Sequence, residues 1–253
     1  MSNSSLLHTH ILKKQVWGWH SGRVRKLADF ISEKLKYPIV VPKLQPPLRE
    51  GTDGDALPPD FTIDETTMQK LVDWIAKNGT DTFTKRNSAL VADLKSRGFE
   101  TFYAAGTCWG GWASFRCARD FPGLLSAINI WHPSCQLEGV HKGNVIDLAK
   151  SVTCPVYFHV TSNNDKSLYD SNTGTIVNAI RSNNVRCIVD YYPDMMHGFM
   201  TRGSDDDVKV QRDLKRGLDT GISFLSSSGS NSAVSTRSLV LLAVVLGVVK
   251  SLF

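Results

Sequence analysis

Cys108 stands in the hexapeptide GTCWGG (106–111), directly after the apolar stretch FETFYAA (99–105). A strand that ends in a sharp turn and hands over to a helix lifts the residue at its apex clear of the sheet. Gly106 and Gly110 let the neighbouring backbone pass without Cβ clashes. At the start of a helix the positive end of the backbone dipole favours thiolate over thiol, and the thiolate is the attacking species. The hexapeptide thus has two readings, a nucleophile turn or a buried cysteine in a glycine-rich loop. Two residues downstream favour the first. Asp165 follows the apolar run PVYFHVT (155–161), and His197 follows VRCIVDYY (185–192) in the segment PDMMHGF. The order nucleophile, acid, histidine is one that thiol and serine hydrolases use.

The other candidates read as less reactive. His159 lies mid-strand and reads as a core histidine. His132 ends INIW (128–131) and could line a pocket; His20 has similar standing. Cys117, Cys154 and Cys187 read as core fillers, and Cys135 as a loop cysteine without a visible partner. The tryptophans Trp17, Trp19, Trp109 and Trp112 suit either an aromatic pocket entrance or the core.

The elements that must position these groups alternate in period. Helical spacing of apolar residues predicts helices over 21–36, 64–77, 87–98, 111–121, 144–151, 171–183 and 207–225, with Gly98 as a cap. Short β-branched or aromatic runs predict strands over 37–42, 99–106, 124–131, 155–161 and 185–192. The Pro-, Gly- and Asp-rich stretch 43–61 reads as a long loop bordering the site. Strand–helix alternation predicts a mostly parallel sheet with helices on both faces, and places Cys108, Asp165 and His197 at the same, carboxyl edge of that sheet.

Composition narrows the function. The chain has 253 residues, a net charge of +5 and five cysteines. The basic residues are dispersed; their densest cluster, RVRK (23–26), reads as a solvated helix face, and no nucleic-acid signature accompanies it. No CxxC pair exists, so neither a zinc site nor a disulfide framework is expected. The first residues lack a signal-peptide pattern. After the Ser-rich linker 226–238 comes LVLLAVVLGVV (239–249), within a hydrophobic tail 239–253. It is short for a bilayer span of about 20 residues. The tail reads as a membrane anchor, as a GPI-type signal if an export signal is missing from this chain, or as neither; a cytoplasmic or a membrane-attached location follows accordingly.

VWGWHSGRVRKLADFIS, GTCWGGW, the aspartate after PVYFHV and YPDMMHGFMTR together resemble the dienelactone hydrolase (carboxymethylenebutenolidase-like) family, over about residues 12–225. The resemblance implies an α/β-hydrolase fold as one domain, 1–225, here lacking one or two N-terminal strands. It implies cofactor-independent opening of lactones or cleavage of esters, with small-molecule substrates, through a Cys-Asp-His triad and a thioester. On that likeness Cys108 is the nucleophile, His197 the general base and acid, and Asp165 the residue that orients His197. Trp109 and Val16 supply the oxyanion-hole N–H groups, and Arg202 receives a substrate carboxylate. Gln15 stands by the substrate where the family has an acidic residue, and the loop to Asp165 is one residue longer than the family pattern, which leaves Asn164 or Asp165 as the residue at the acid's position. Class I glutamine amidotransferases share the cysteine turn but pair their histidine with a glutamate two residues on, where this chain has Phe199. The non-enzymatic rival is a membrane-attached scaffold that keeps the fold without the rate.

Overall fold

The computed structural model describes residues 22–42, 44, 65–229 and 238–244. Gln15, Val16, Trp17, Trp19, His20 and nearly all of the expected loop 43–61 lie outside them. Six strands form one sheet: β1 (Ile39–Val40), β2 (Thr101–Cys108), β3 (Leu125–Pro133), β4 (Val156–Thr161), β5 (Cys187–Tyr192) and β6 (Ser238–Val244). Their order in space is β1-β6-β2-β3-β4-β5, and every neighbouring pair is parallel. The helices are α1 (Val24–Leu35), α2 (Glu65–Lys77), α3 (Thr80–Ser96), α4 (Trp109–Asp120), α5 (Val145–Lys150), α6 (Lys166–Tyr169), α7 (Thr175–Arg181) and α8 (Val208–Gly229), with a 3-10 segment at Cys135–His141.

Period-two alternation along the strands divides the core into two layers. Phe102, Ala104, Ile128, Ile130, Phe158 and Val160 pack with Phe83 of α3, Trp112 and Phe115 of α4, Leu148 of α5 and Ile176 and Ile180 of α7. The intervening residues Tyr103, Ala105, Ala127 and Trp131 pack with Val24, Leu27 and Ile31 of α1 and Leu218, Phe224 and Leu225 of α8. Each large apolar side chain so buried contributes roughly 1.5–3 kcal/mol. The α8 helix comes close to β3 because Gly221 has no side chain there; a Cβ would sit 2.8 Å from Trp131 Cζ2. Trp131 Nε1 donates to the Gly217 carbonyl at 2.9 Å. His159 is wholly buried between Tyr192 Oη (3.0 Å) and Asn129 Oδ1 (2.8 Å), and burial pushes its pKa down to about 3. It is the core histidine that its mid-strand position predicts.

Three expectations change. The α3 helix begins at Thr80, seven residues before the expected start, because TDTFTKR buries only Phe83 and shows no apolar stripe. RVRK is not wholly solvated: Arg25 and Lys26 are exposed, but Arg23 is buried at the start of α1. Its guanidinium donates to the carbonyls of Phe199, Arg202 and Gly203 and pairs with Asp205, so it clasps the loop that follows His197. The apolar stretch after the expected linker is the largest change. Ser238–Val244 is strand β6, paired with β1 on one side and, over all seven residues, with β2 on the other. A continuous Leu/Val run suits a strand covered on both faces of a parallel sheet as well as it suits a lipid anchor. Residues 226–229 of the expected linker are helical, closing α8. Among the described residues no helix is long and apolar enough to cross a membrane.

Candidate functional site

The turn at Cys108 is built as its glycines imply. Cys108 ends β2 with φ 55° and ψ −118°, a conformation that costs a non-glycine residue about 1–3 kcal/mol. Gly106 makes the turn possible: a Cβ there would lie 2.6 Å from the carbonyl carbon and oxygen of Gly110. Trp109 opens α4, so its backbone N–H is among the unpaired donors at the helix start. The Trp109 and Trp112 side chains, one of the two placements open in the sequence, belong to the core. They pack on each other (ring centroids 5.1 Å apart) and on Phe83.

A bulge in β3 brings the second strand over the thiol. Thr107 is opposite Trp131, whereas Cys108 is opposite Pro133, so His132 is the extra residue. His132 adopts φ 40° and is wholly buried. The bulge lets the Ser134 N–H donate to the Cys108 carbonyl at 3.2 Å and sets Ser134 Oγ 3.4 Å from Cys108 Sγ. The same hydroxyl lies 3.5 Å from His197 Nε2. Cys108, Ser134 and His197 therefore form one buried chain of side chains. Ser134 carries no motif in the sequence; only the bulge puts it here.

His197 is held from the loop after β4. Its backbone N–H donates to Asn163 Oδ1 at 2.8 Å. Asn164, which is buried, accepts the Thr161 N–H at 2.9 Å and donates to the Pro133 carbonyl at 2.9 Å. Two adjacent amides thus fix the histidine and the Pro133–Ser134 segment relative to each other. Asp165 is not brought to His197. It caps α6, its Oδ1 accepting the Ser167 N–H (2.8 Å) and Oγ–H (2.7 Å), and it is exposed. At the helix start the carboxylate satisfies an orphan backbone donor, while the Asn164 amide faces inward to the Pro133 carbonyl.

Electrostatics follow from that arrangement. Burial pushes the His197 pKa down to about 4, so the imidazole is neutral at ordinary pH. His132 packs edge-on against it, ring centroids 4.7 Å apart, and burial, with a smaller effect of the neighbouring imidazole, holds His132 well below the usual imidazole range. Among the described residues neither ring nitrogen of His132 has a hydrogen-bond partner. Cys135 is buried at the start of the 3-10 segment, and burial pushes its thiol up to about 12. Cys117, Cys154 and Cys187 are buried likewise, at about 11, 12 and 12. None of these four thiols is poised to ionise. Arg202 is half-buried, and burial lowers its pKa. Its N–H donates to the Gly198 carbonyl, so it sits on the same loop as His197. Among the described residues no group of three or more His, Cys, Asp and Glu could hold a metal ion.

The family model of the dienelactone hydrolase family matches residues 15–227. Among curated proteins none matches. Of solved structures, a candidate dienelactone hydrolase from Klebsiella pneumoniae subsp. pneumoniae MGH 78578 is similar at TM-score 0.44 and 18% identity, over 65% of this chain and 68% of that one. A candidate dipeptidyl aminopeptidase IV from Bacteroides ovatus ATCC 8483 is similar at TM-score 0.42 and 13% identity, over 59% of this chain and 24% of that one. The match over residues 15–227 takes in the thiol turn, the histidine loop and every strand but β6: this chain is a hydrolase of the α/β-hydrolase fold and belongs to the dienelactone hydrolase family.

Proposed function

We propose that this hydrolase cleaves a carboxylic ester or lactone by covalent catalysis at Cys108, with no cofactor. The observation that carries the reading is the strained, buried Cys108 at the start of α4, joined through one hydroxyl to a neutral buried imidazole. In the acylation step the Cys108 sulfur bonds to the substrate carbonyl carbon as its proton passes to His197. The bond to the alkoxide breaks, and the imidazolium protonates the departing oxygen. Water then gives its proton to His197 and attacks the thioester, releasing the acid and returning the thiol. The Trp109 N–H supports the oxyanion, a contribution worth about 10²–10³-fold for one donor. The second donor, Val16, and the substrate-side Gln15 lie outside the described residues. Arg202 is the group we assign to a carboxylate on the substrate. Asp165 stands outside the reacting set in this arrangement, and the Asn163 amide accepts the His197 backbone N–H, which fixes the histidine loop rather than the ring.

The test is direct. Turnover of p-nitrophenyl acetate quenched in acid is expected to leave a single acetyl group on the chain, mapped to the peptide that holds Cys108. Turnover without an adduct, or an adduct elsewhere, overturns the thioester route.

The rival, a membrane-attached scaffold, is less well supported. Residues 238–244 are already paired on both edges within the sheet, and a segment cannot hold that place and a place in lipid at once. We expect the full chain mixed with phosphatidylcholine vesicles to stay in the aqueous fraction on flotation; recovery with the vesicles would restore the anchor.

A further inference from the structure

We infer that Ser134 is the link through which the Cys108 thiol gives up its proton, a role that rests on the thiol reading above and deepens it. The Ser134 hydroxyl has one proton and two lone pairs, so it can accept the Cys108 S–H and donate to His197 Nε2 at the same time. Its distances to the two, 3.4 Å and 3.5 Å, match a resting, untightened chain Sγ–H···Oγ–H···Nε2. Ser134 is wholly buried, so water does not compete for either contact.

The surroundings explain why this site needs such a link. A resting thiolate–imidazolium pair would require a buried cation at His197. Among the described residues, the titratable groups packed around the pair are His132, edge-on to the imidazole, and Cys135, beside Cys108 on the 3-10 segment. Neither is a carboxylate, and Asp165 is turned to Ser167. Within these described surroundings the neutral chain is the favoured resting state, and charge separates when substrate is present. In that step the Cys108 Sγ–H bond breaks as Sγ–C forms. The released proton goes to Ser134 Oγ while the proton of Ser134 goes to Nε2, leaving serine neutral throughout and one imidazolium to serve the leaving group.

The backbone bond from Ser134 to the Cys108 carbonyl survives any side-chain change, which separates the relay from a structural role. Three proteins are compared: the unaltered chain, Ser134→Ala and Ser134→Thr. Iodoacetamide labelling of Cys108, read by peptide mapping from pH 5 to 10, is expected to slow at least tenfold at pH 7 in Ser134→Ala and to move its midpoint to higher pH. Ser134→Thr keeps the hydroxyl and is expected to recover most of the rate. Hydrolysis in H₂O/D₂O mixtures is expected to give a curved dependence for the unaltered chain, from two protons in flight, and a linear one for Ser134→Ala. Equal labelling profiles in the alanine and unaltered proteins overturn the relay. Labelling needs no turnover, so it decides on Ser134 even if ester hydrolysis by Cys108 fails its own test. An active enzyme with unchanged Ser134→Ala profiles would sink the relay alone.

Discussion

Cys108→Ala is expected to lower ester hydrolysis by at least about 10³-fold, the scale on which removal of a covalent nucleophile is felt. The companion change Cys108→Gly is expected to be equally inactive yet to melt within a few degrees of the unaltered protein. A buried cysteine exchanged for glycine at an ordinary position would cost about 2 kcal/mol, from lost burial and added chain freedom. At φ 55° glycine also relieves a strain of about 1–3 kcal/mol, and the two roughly cancel. Loss of rate with retained melting temperature means that the strain at Cys108 serves reactivity rather than folding. A glycine variant that melts more than about 10 °C lower would mean that the turn is not strained. The pH profile carries the same logic. An imidazole of ordinary pKa near 6.5 loses its capacity as base below that pH. His197, pushed down to about 4 by burial, stays unprotonated, so kcat/KM is expected to persist at pH 5.5 and fall only as pH approaches 4. A half-maximum near pH 6.5 would contradict the buried setting of His197.

The second large effect is on stability. Glu138 on the 3-10 segment is almost fully buried and accepts from Arg116 Nε (2.8 Å) and Nη2 (2.7 Å) and from Trp112 Nε1 (2.7 Å). Glu138→Ala leaves the Arg116 guanidinium buried without its carboxylate, and an indole N–H without its acceptor. Removal of one partner from such a pair costs about 3–5 kcal/mol. For a chain of this size that lowers the melting temperature on the order of 10 °C. The double change Arg116→Met with Glu138→Leu removes both charges and is expected to recover much of the loss, because paired burial is seldom worth more than packed hydrocarbon. Activity is expected to fall with Glu138→Ala as well. Arg116 and Trp112 belong to α4, which starts just after Cys108, and Glu138 belongs to the segment that starts just after Ser134. The pair therefore ties the helix that follows the thiol to the segment that follows the hydroxyl. Differential scanning calorimetry of the three proteins checks the first part; a Glu138→Ala protein that melts unchanged would mean that water reaches Arg116 in its place.

Much of the candidate site is legible in the chain itself. The glycine at 106 is needed because only a bare Cα passes the Gly110 backbone, and that requirement is local, so it is written in the hexapeptide. The alternation of strand and helix periods likewise fixes a parallel sheet, and with it a shared edge for residues that follow strands; Cys108 and His197 do lie close to one hydroxyl there. Both inferences rest on interactions between residues near in sequence, which periodicity and turn chemistry report.

What periodicity does not report is which atoms meet across strands. The bulge at His132 exists because β3 must gain one residue on β2, and that mismatch belongs to the pair of strands rather than to either one. It turns Ser134 from an unremarked residue into the contact between thiol and imidazole. The same holds for Asn163, Asn164 and Asp165: three polar side chains in a row look interchangeable until the loop's path decides which face inward, and here the amides do and the carboxylate caps α6. Arg23 and β6 complete the case. A basic residue beside a helix start and a greasy run near the chain's end each suit several environments equally well. The carbonyls of the histidine loop claim the first, and the gap between β1 and β2 claims the second. Local chemistry determined the turn, the sheet and its reactive edge; partners distant in the chain, whose identity only the folded backbone supplies, decided the rest.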